Sequence, residues 1–134
     1  MSKFKMVKIT LYIGSLYYFI GAVAHFFCLT IFPFYDGRLC APYHDIVIAL
    51  AAIVIALFIF TTARDPIKNE DNLKVIILGV ILAIILNFWI IYSVDFVSLG
   101  GPAKKFQTIT ETILGLIFII PIIYYLYYQA RKRN

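Results

Sequence analysis

The chain has 134 residues, 63% of them hydrophobic and only 14% charged, with a mean hydropathy of +0.92 and a formal net charge of +5. A soluble domain of this length sits nearer half apolar, so a water-soluble globule is excluded. The excess of positive charge does not make a nucleic-acid footprint, which needs a basic face on a folded soluble domain.

Four apolar runs divide the sequence, at roughly Ile9–Phe32, Ile46–Thr62, Leu73–Ser93 and Ile109–Tyr128. A helix rising ~1.5 Å per residue crosses a ~30 Å hydrocarbon core in about twenty residues. Backbone polar groups in lipid must be satisfied internally, which leaves helices or closed barrels. Barrel strands alternate polar and apolar residues over about ten positions, and VIILGVILAIIL in the third run does not. The expected fold is all-α: a polytopic, single-domain bundle of four transmembrane helices over residues 1–134.

The first run follows Lys3, Lys5 and Lys8. Together with Ala22–Val23–Ala24 this mimics a signal peptide. Cleavage after Ala24 would leave His25 as a copper-binding N-terminus. The apolar run continues through HFFCLTIFPF, however, and cleavage would strand it, so an uncleaved first span is the plainer reading.

The first connection is FPFYDGRLCAPYHD, residues 32–45, where aromatic, acidic, basic, cysteine and histidine side chains concentrate. Phe32, Phe34, Tyr35 and Tyr43 read as an interfacial belt, matched at the other end by Tyr124, Tyr125, Tyr127 and Tyr128. YDGR reads as a tight turn in which Gly37 supplies the unusual dihedral, and Pro42 fits just before the second helix. A bridge between Cys28 and Cys40 is open but not favoured, because a span reaching Phe32 buries Cys28 one turn below the surface. No C-x-x-C supports a redox or zinc motif. RDPIKNED forms the second connection, and Gly100–Gly101–Pro102 marks a flexible third one.

Nine of the twelve basic residues fall on one side of the bundle: Lys3, Lys5, Lys8, Arg64, Lys68, Lys74, Arg131, Lys132 and Arg133. Arg38, Lys104 and Lys105 fall on the other. The positive-inside rule places both termini and the second connection in the cytoplasm of a cell-membrane protein, with basic ends that can touch anionic lipid.

Polar side chains within spans are expensive and point to function. Four stand out: His25, Asn87 and Glu111, with Asp45 at the head of the second helix. Counted from the inner face, His25 lies ~24 Å, Asn87 ~21 Å and Glu111 ~22 Å up. Small residues share their faces: Gly14 and Gly21 with His25, Ala49, Ala52 and Ala56 with Asp45, Gly79 and Ala83 with Asn87, and Gly115 with Glu111. These four are the candidate ligand or proton-coupling residues, gathered at the outer mouth beneath the first connection. Against this stand interhelical glue for His25 and Asn87, an N-terminal cap for Asp45, and a later helix start that leaves Glu111 near Lys104 and Lys105. Asp36 and Asp95 read as solvated. No metal site is expected. The donors that would form one are His25, His44, Asp45 and Glu111. No catalytic motif or cofactor is assigned.

The AHFF stretch followed by the loop FP resembles DoxX-like proteins, which implies a four-helix membrane layout; the redox-associated role of that family is not carried over to this chain. FTTARDPIKN is similar to a turn in small uncharacterised four-helix membrane families. An apolar four-helix pocket holding His, Asn and acidic groups is similar in kind to sterol-isomerase-type proteins.

Three functions follow. The first is an accessory or structural subunit of a larger membrane complex, whose partners are lipid, other membrane subunits or a second copy. The second is a binder or transporter of a small molecule or lipid. The third is a membrane enzyme using His25 and Glu111 as acid and base.

Overall fold

The computed structural model describes residues 3–96, 98 and 102–133, with backbone alone at 102, 103 and 133. Gly100 and Gly101 of the expected third connection lie outside the described residues. Four helices run in order: α1 Lys3–Phe26, α2 Pro42–Arg64, α3 Glu70–Ser93 and α4 Pro102–Arg133, with a 3-10 turn at Gly37–Leu39. All four are long and apolar enough to cross a membrane.

The departure from the expected spans that matters most for the site is at the end of α1, six residues short of Phe32. The chain stops in a Schellman motif: Leu29 N–H bonds to Ala24 C=O at 2.9 Å and Cys28 N–H to His25 C=O at 3.4 Å. Cys28 holds the left-handed position with φ 52°. Glycine is the usual residue there because a Cβ disfavours it. No glycine or proline marks the stop, so apolar periodicity alone runs past it.

The other ends are conventional. Pro42 occupies the first turn of α2, where its missing N–H costs no helical bond. Beyond Arg64, Asp65 closes the second connection, taking Lys68 N–H on its carboxylate at 3.2 Å and Asn69 N–H on its carbonyl at 3.1 Å. Glu70 and Asp71 then open α3, where acidic groups suit the helix dipole. Helix α4 begins seven residues before Ile109 and runs through Pro121, as membrane helices tolerate.

Helices α1 and α2 form a close antiparallel hairpin. Ser15 Oγ donates to Ala56 C=O at 2.9 Å in the buried seam, and Lys8 Nζ donates to Arg64 C=O at 3.1 Å. Helix α4 crosses α1 at Gly14, where a Cβ would collide with the Phe118 ring. Helix α3 lies on α4, with Val80 and Ile84 against Gly115. All four helices meet in one core: Val7, Leu11, Ile59, Ala63, Leu73, Ile76, Ile122 and Tyr125. This core sits at the end that carries the termini and the second connection, the terminal end. Toward the other, the loop end, α3 has no further buried residue after Ile76.

Two expectations about packing faces are therefore corrected. Ala49 and Ala56 are buried in the α1–α2 seam, as the small-residue stripe predicts, but Gly79 and Ala83 of α3 are exposed. A Cβ added at Gly21 or Gly79 would meet nothing within 4 Å. Large apolar side chains, among them Leu16, Leu50, Leu82 and Ile120, lie exposed on every helix. A helix apolar all round is stable only where its surroundings are apolar too.

Candidate functional site

The loop end is built by the residues between α1 and α2. Ile31 and Tyr35 exchange backbone hydrogen bonds at 2.8 Å each, closing a tight turn around the cis Phe32–Pro33 peptide. Asp36 then accepts from its own neighbour, Arg38, through the backbone N–H at 3.1 Å, Nε at 2.9 Å and Nη2 at 2.7 Å. This bonding holds the Asp36 carboxyl at about 2 and raises the Arg38 guanidinium. Asp36 thus anchors the turn, and is not simply a solvated charge. Gly37 does not adopt the left-handed conformation expected of it. Its role is space, because a Cβ would run into the Cys28 carbonyl.

Cys28 and Cys40 form a disulfide, with Cα atoms 5.6 Å apart. The sequence reading disfavoured this pairing by placing Cys28 inside a span. Once α1 ends at Phe26, Cys28 belongs to the loop and faces Cys40.

Asp45, in the first turn of α2, is the hub of the site and is 6% exposed. Its Oδ1 accepts the Tyr35 hydroxyl at 2.8 Å and lies 2.5 Å from His25 Nδ1, while Oδ2 accepts Ala41 N–H at 2.6 Å. Ala41 is the residue before Pro42 and brings no capping side chain of its own. The reach of Asp45 back to its N–H is the acidic half of a capping box, displaced by one residue. An ionised carboxylate only accepts, so His25 Nδ1 carries the proton and Nε2 is left for another partner. The His25 and Tyr35 rings lie 4.1 Å apart, tilted by 45°. Burial and the bond to Asp45 push the Tyr35 hydroxyl up to about 12.

Helix α4 supplies the opposite wall. Lys104 Nζ donates to Gln107 Oε1 at 3.2 Å, and Gln107 Nε2 donates to Glu111 Oε1 at 3.1 Å and to the Phe34 carbonyl. The spacing of three and four residues puts Lys104, Gln107 and Glu111 on one helix face. Glu111 therefore lies within α4, joined to Lys104 through Gln107, and it interacts electrostatically with His25. Phe32 stacks on Phe106 with centroids 6.1 Å apart, and Phe34 meets Tyr17 edge-on at 5.6 Å. The loop is thus clamped to both α1 and α4.

Three of the four sequence candidates, His25, Asp45 and Glu111, gather at this end. Asn87 does not join them: it is half-buried on α3, beyond the reach of the Asp45 hydrogen bonds. His44 is exposed and pairs edge-on with Tyr43, 5.5 Å between centroids. Among the described residues, no three His, Cys, Asp or Glu side chains come together as a metal-holding group.

Sequence reasoning missed two members. In sequence Tyr35 reads as an interfacial ring, and no local signal marks it as the buried donor to Asp45. Gln107 did have a signal, its placement four residues before Glu111 and three after Lys104. Chemically, the hub offers a carboxylate already held by three donors, an imidazole whose Nε2 has no hydrogen-bond partner among the described residues, and a second carboxyl nearby. Compared with protein-family models, curated proteins and solved structures, nothing matches this chain.

Proposed function

We propose that this is a small cell-membrane protein with cytoplasmic termini, acting as an accessory or structural subunit of a larger membrane complex. The observation that carries this reading is the bonding of Asp45 to three groups of the scaffold. Its two oxygens take the His25 imidazole, the Tyr35 hydroxyl and the Ala41 N–H, all groups of the scaffold itself. A buried carboxylate used this way locks the end of α1, the loop and the start of α2 together and leaves little capacity for a substrate. The locked loop presents Phe32 and the first turn of α2 presents Tyr43, each about three-quarters exposed. Aromatic residues held rigid at a membrane boundary suit contact with another membrane subunit or a second copy.

A second reading rests on the neighbouring pair. His25 Nε2 and the Glu111 carboxyl are not spent on Asp45, and they interact electrostatically. Between them they could bind a small molecule or lipid and couple it to a proton.

Purification in mild detergent followed by native mass spectrometry separates the two. A stoichiometric protein partner, or a defined homo-oligomer, is the expected outcome. A lone monomer carrying a small molecule that is lost in Glu111→Gln overturns the subunit reading in favour of the binder.

A further inference from the structure

The terminal end holds a second cluster that the loop-end site does not use. The first turn of α1 and the last turns of α4 border a cavity of about 370 Å³, lined by Lys3, Tyr124, Tyr127, Tyr128, Arg131 and Lys132. Among the described residues, three cations and three tyrosines line it and no carboxylate does. Lys3 Nζ stands 3.3 Å from the Tyr128 ring centroid and 4.8 Å from that of Tyr124, while Lys132 Nζ is 5.0 Å from Tyr128.

Two ammonium groups thus converge on one aromatic ring. Each gains from the ring face, but like charges drawn together repel, and an anion placed among them relieves that repulsion. The lining is suited to such an anion. Arg131 can present a planar fork to phosphate oxygens, the lysines add point charges, and tyrosine hydroxyls can donate further hydrogen bonds. The cavity is also at the right height. It lies where apolar α1 and α4 give way to basic, aromatic ends, the level at which lipid phosphates sit beside a membrane helix.

We infer that this cavity binds a phosphate-bearing anion, supplied by the headgroup of an anionic phospholipid. Free phosphate offers the same chemistry, but the position beside the hydrocarbon boundary favours the lipid. Occupancy would tie the start of α1 to the end of α4, the two chain ends, through a shared headgroup.

The test is native mass spectrometry of the detergent-purified full chain with phosphatidylglycerol or phosphatidylcholine, each with and without millimolar inorganic phosphate. Phosphatidylglycerol is expected to bind about tenfold better or more, since each nearby cation adds appreciably to anionic-lipid affinity. The combined Lys3→Gln, Arg131→Gln and Lys132→Gln variant should lose that preference. Arg64→Gln, Lys68→Gln and Lys105→Gln together remove equal charge elsewhere and should retain it. If the first variant fails to fold, Tyr124→Phe with Tyr127→Phe keeps every cation and should weaken headgroup binding several-fold. Equal binding of the two lipids, or an equal loss in both charge variants, overturns the site. Displacement of the lipid by inorganic phosphate, with a phosphate adduct appearing, overturns the lipid as its source.

Discussion

Asp45 shows how one side chain can be both a helix cap and the hub of a tertiary site. Its depth and sequence position pointed to the cap, and the structure adds His25 and Tyr35 to the same carboxylate. Tyr35→Phe removes one donor to an ionised group and should destabilise the folded chain in detergent by roughly 1.5–3 kcal/mol, read as a lower thermal midpoint. The pH dependence has a definite sign. The Tyr35 hydroxyl stands at about 12 against an ordinary 10.0, so the folded state holds its proton more tightly. That contribution is complete below pH 10.0 and is lost as pH rises through about 12. Tyr35→Phe should flatten this alkaline fall in the melting curve, and an unchanged slope would show that Tyr35 is not the responsible group. Asp36 works in the opposite sense. Its depressed carboxyl keeps the turn bonded above 3.8 and releases it as pH falls through about 2.

The helices differ in what their glycines do, and this decides the sign of substitutions. All four helical glycines looked alike as members of small-residue stripes. Gly14 is pressed by the Phe118 ring, whereas Gly21 and Gly79 face open space. Gly21→Ala and Gly79→Ala should therefore stabilise by up to about 1 kcal/mol, through helix propensity alone. Gly14→Leu should destabilise by roughly 1–3 kcal/mol by overpacking, and Phe118→Ala in the same chain should recover part of the loss. Thermal melts of these variants in one detergent settle the contrast. A uniform response of all three positions would mean that α4 does not cross α1 at Gly14. The same logic explains Gly37, which is a glycine because the chain passes the Cys28 carbonyl closely there, without a left-handed conformation.

At the scale of the whole molecule, the four helices close tightly at the terminal end and loosen toward the loop end. One core joins all four, yet α3 buries only Leu73 and Ile76. The loop end is held instead by polar and covalent links: the Cys28–Cys40 bridge, the Asp45 network and the bond from Gln107 to Phe34. The expected orientation puts this stapled loop outside. Arg38→Cys should then react with a membrane-impermeant maleimide on intact cells, and Lys68→Cys only after the membrane is opened. The reverse pattern would invert the topology and move the basic aromatic cavity to the outer leaflet.

The sequence by itself determined that the chain is four apolar helices, because run length and hydropathy depend on composition and not on neighbours. It also located the polar residues His25, Asp45 and Glu111, which are conspicuous in so apolar a chain. Tertiary structure alone decided which of them meet. The Schellman stop at Cys28 has no glycine to announce it, yet it sets the end of α1 and so brings Cys28 to Cys40 and His25 to Asp45. Asn87 shared the expected depth but not the position, since depth follows from rise along a helix axis whereas proximity depends on which helices pack. Helix α3 packs on α4 and leaves the Asp45 site to α1, α2 and α4, a choice made by side-chain fit between helices that hydropathy does not encode.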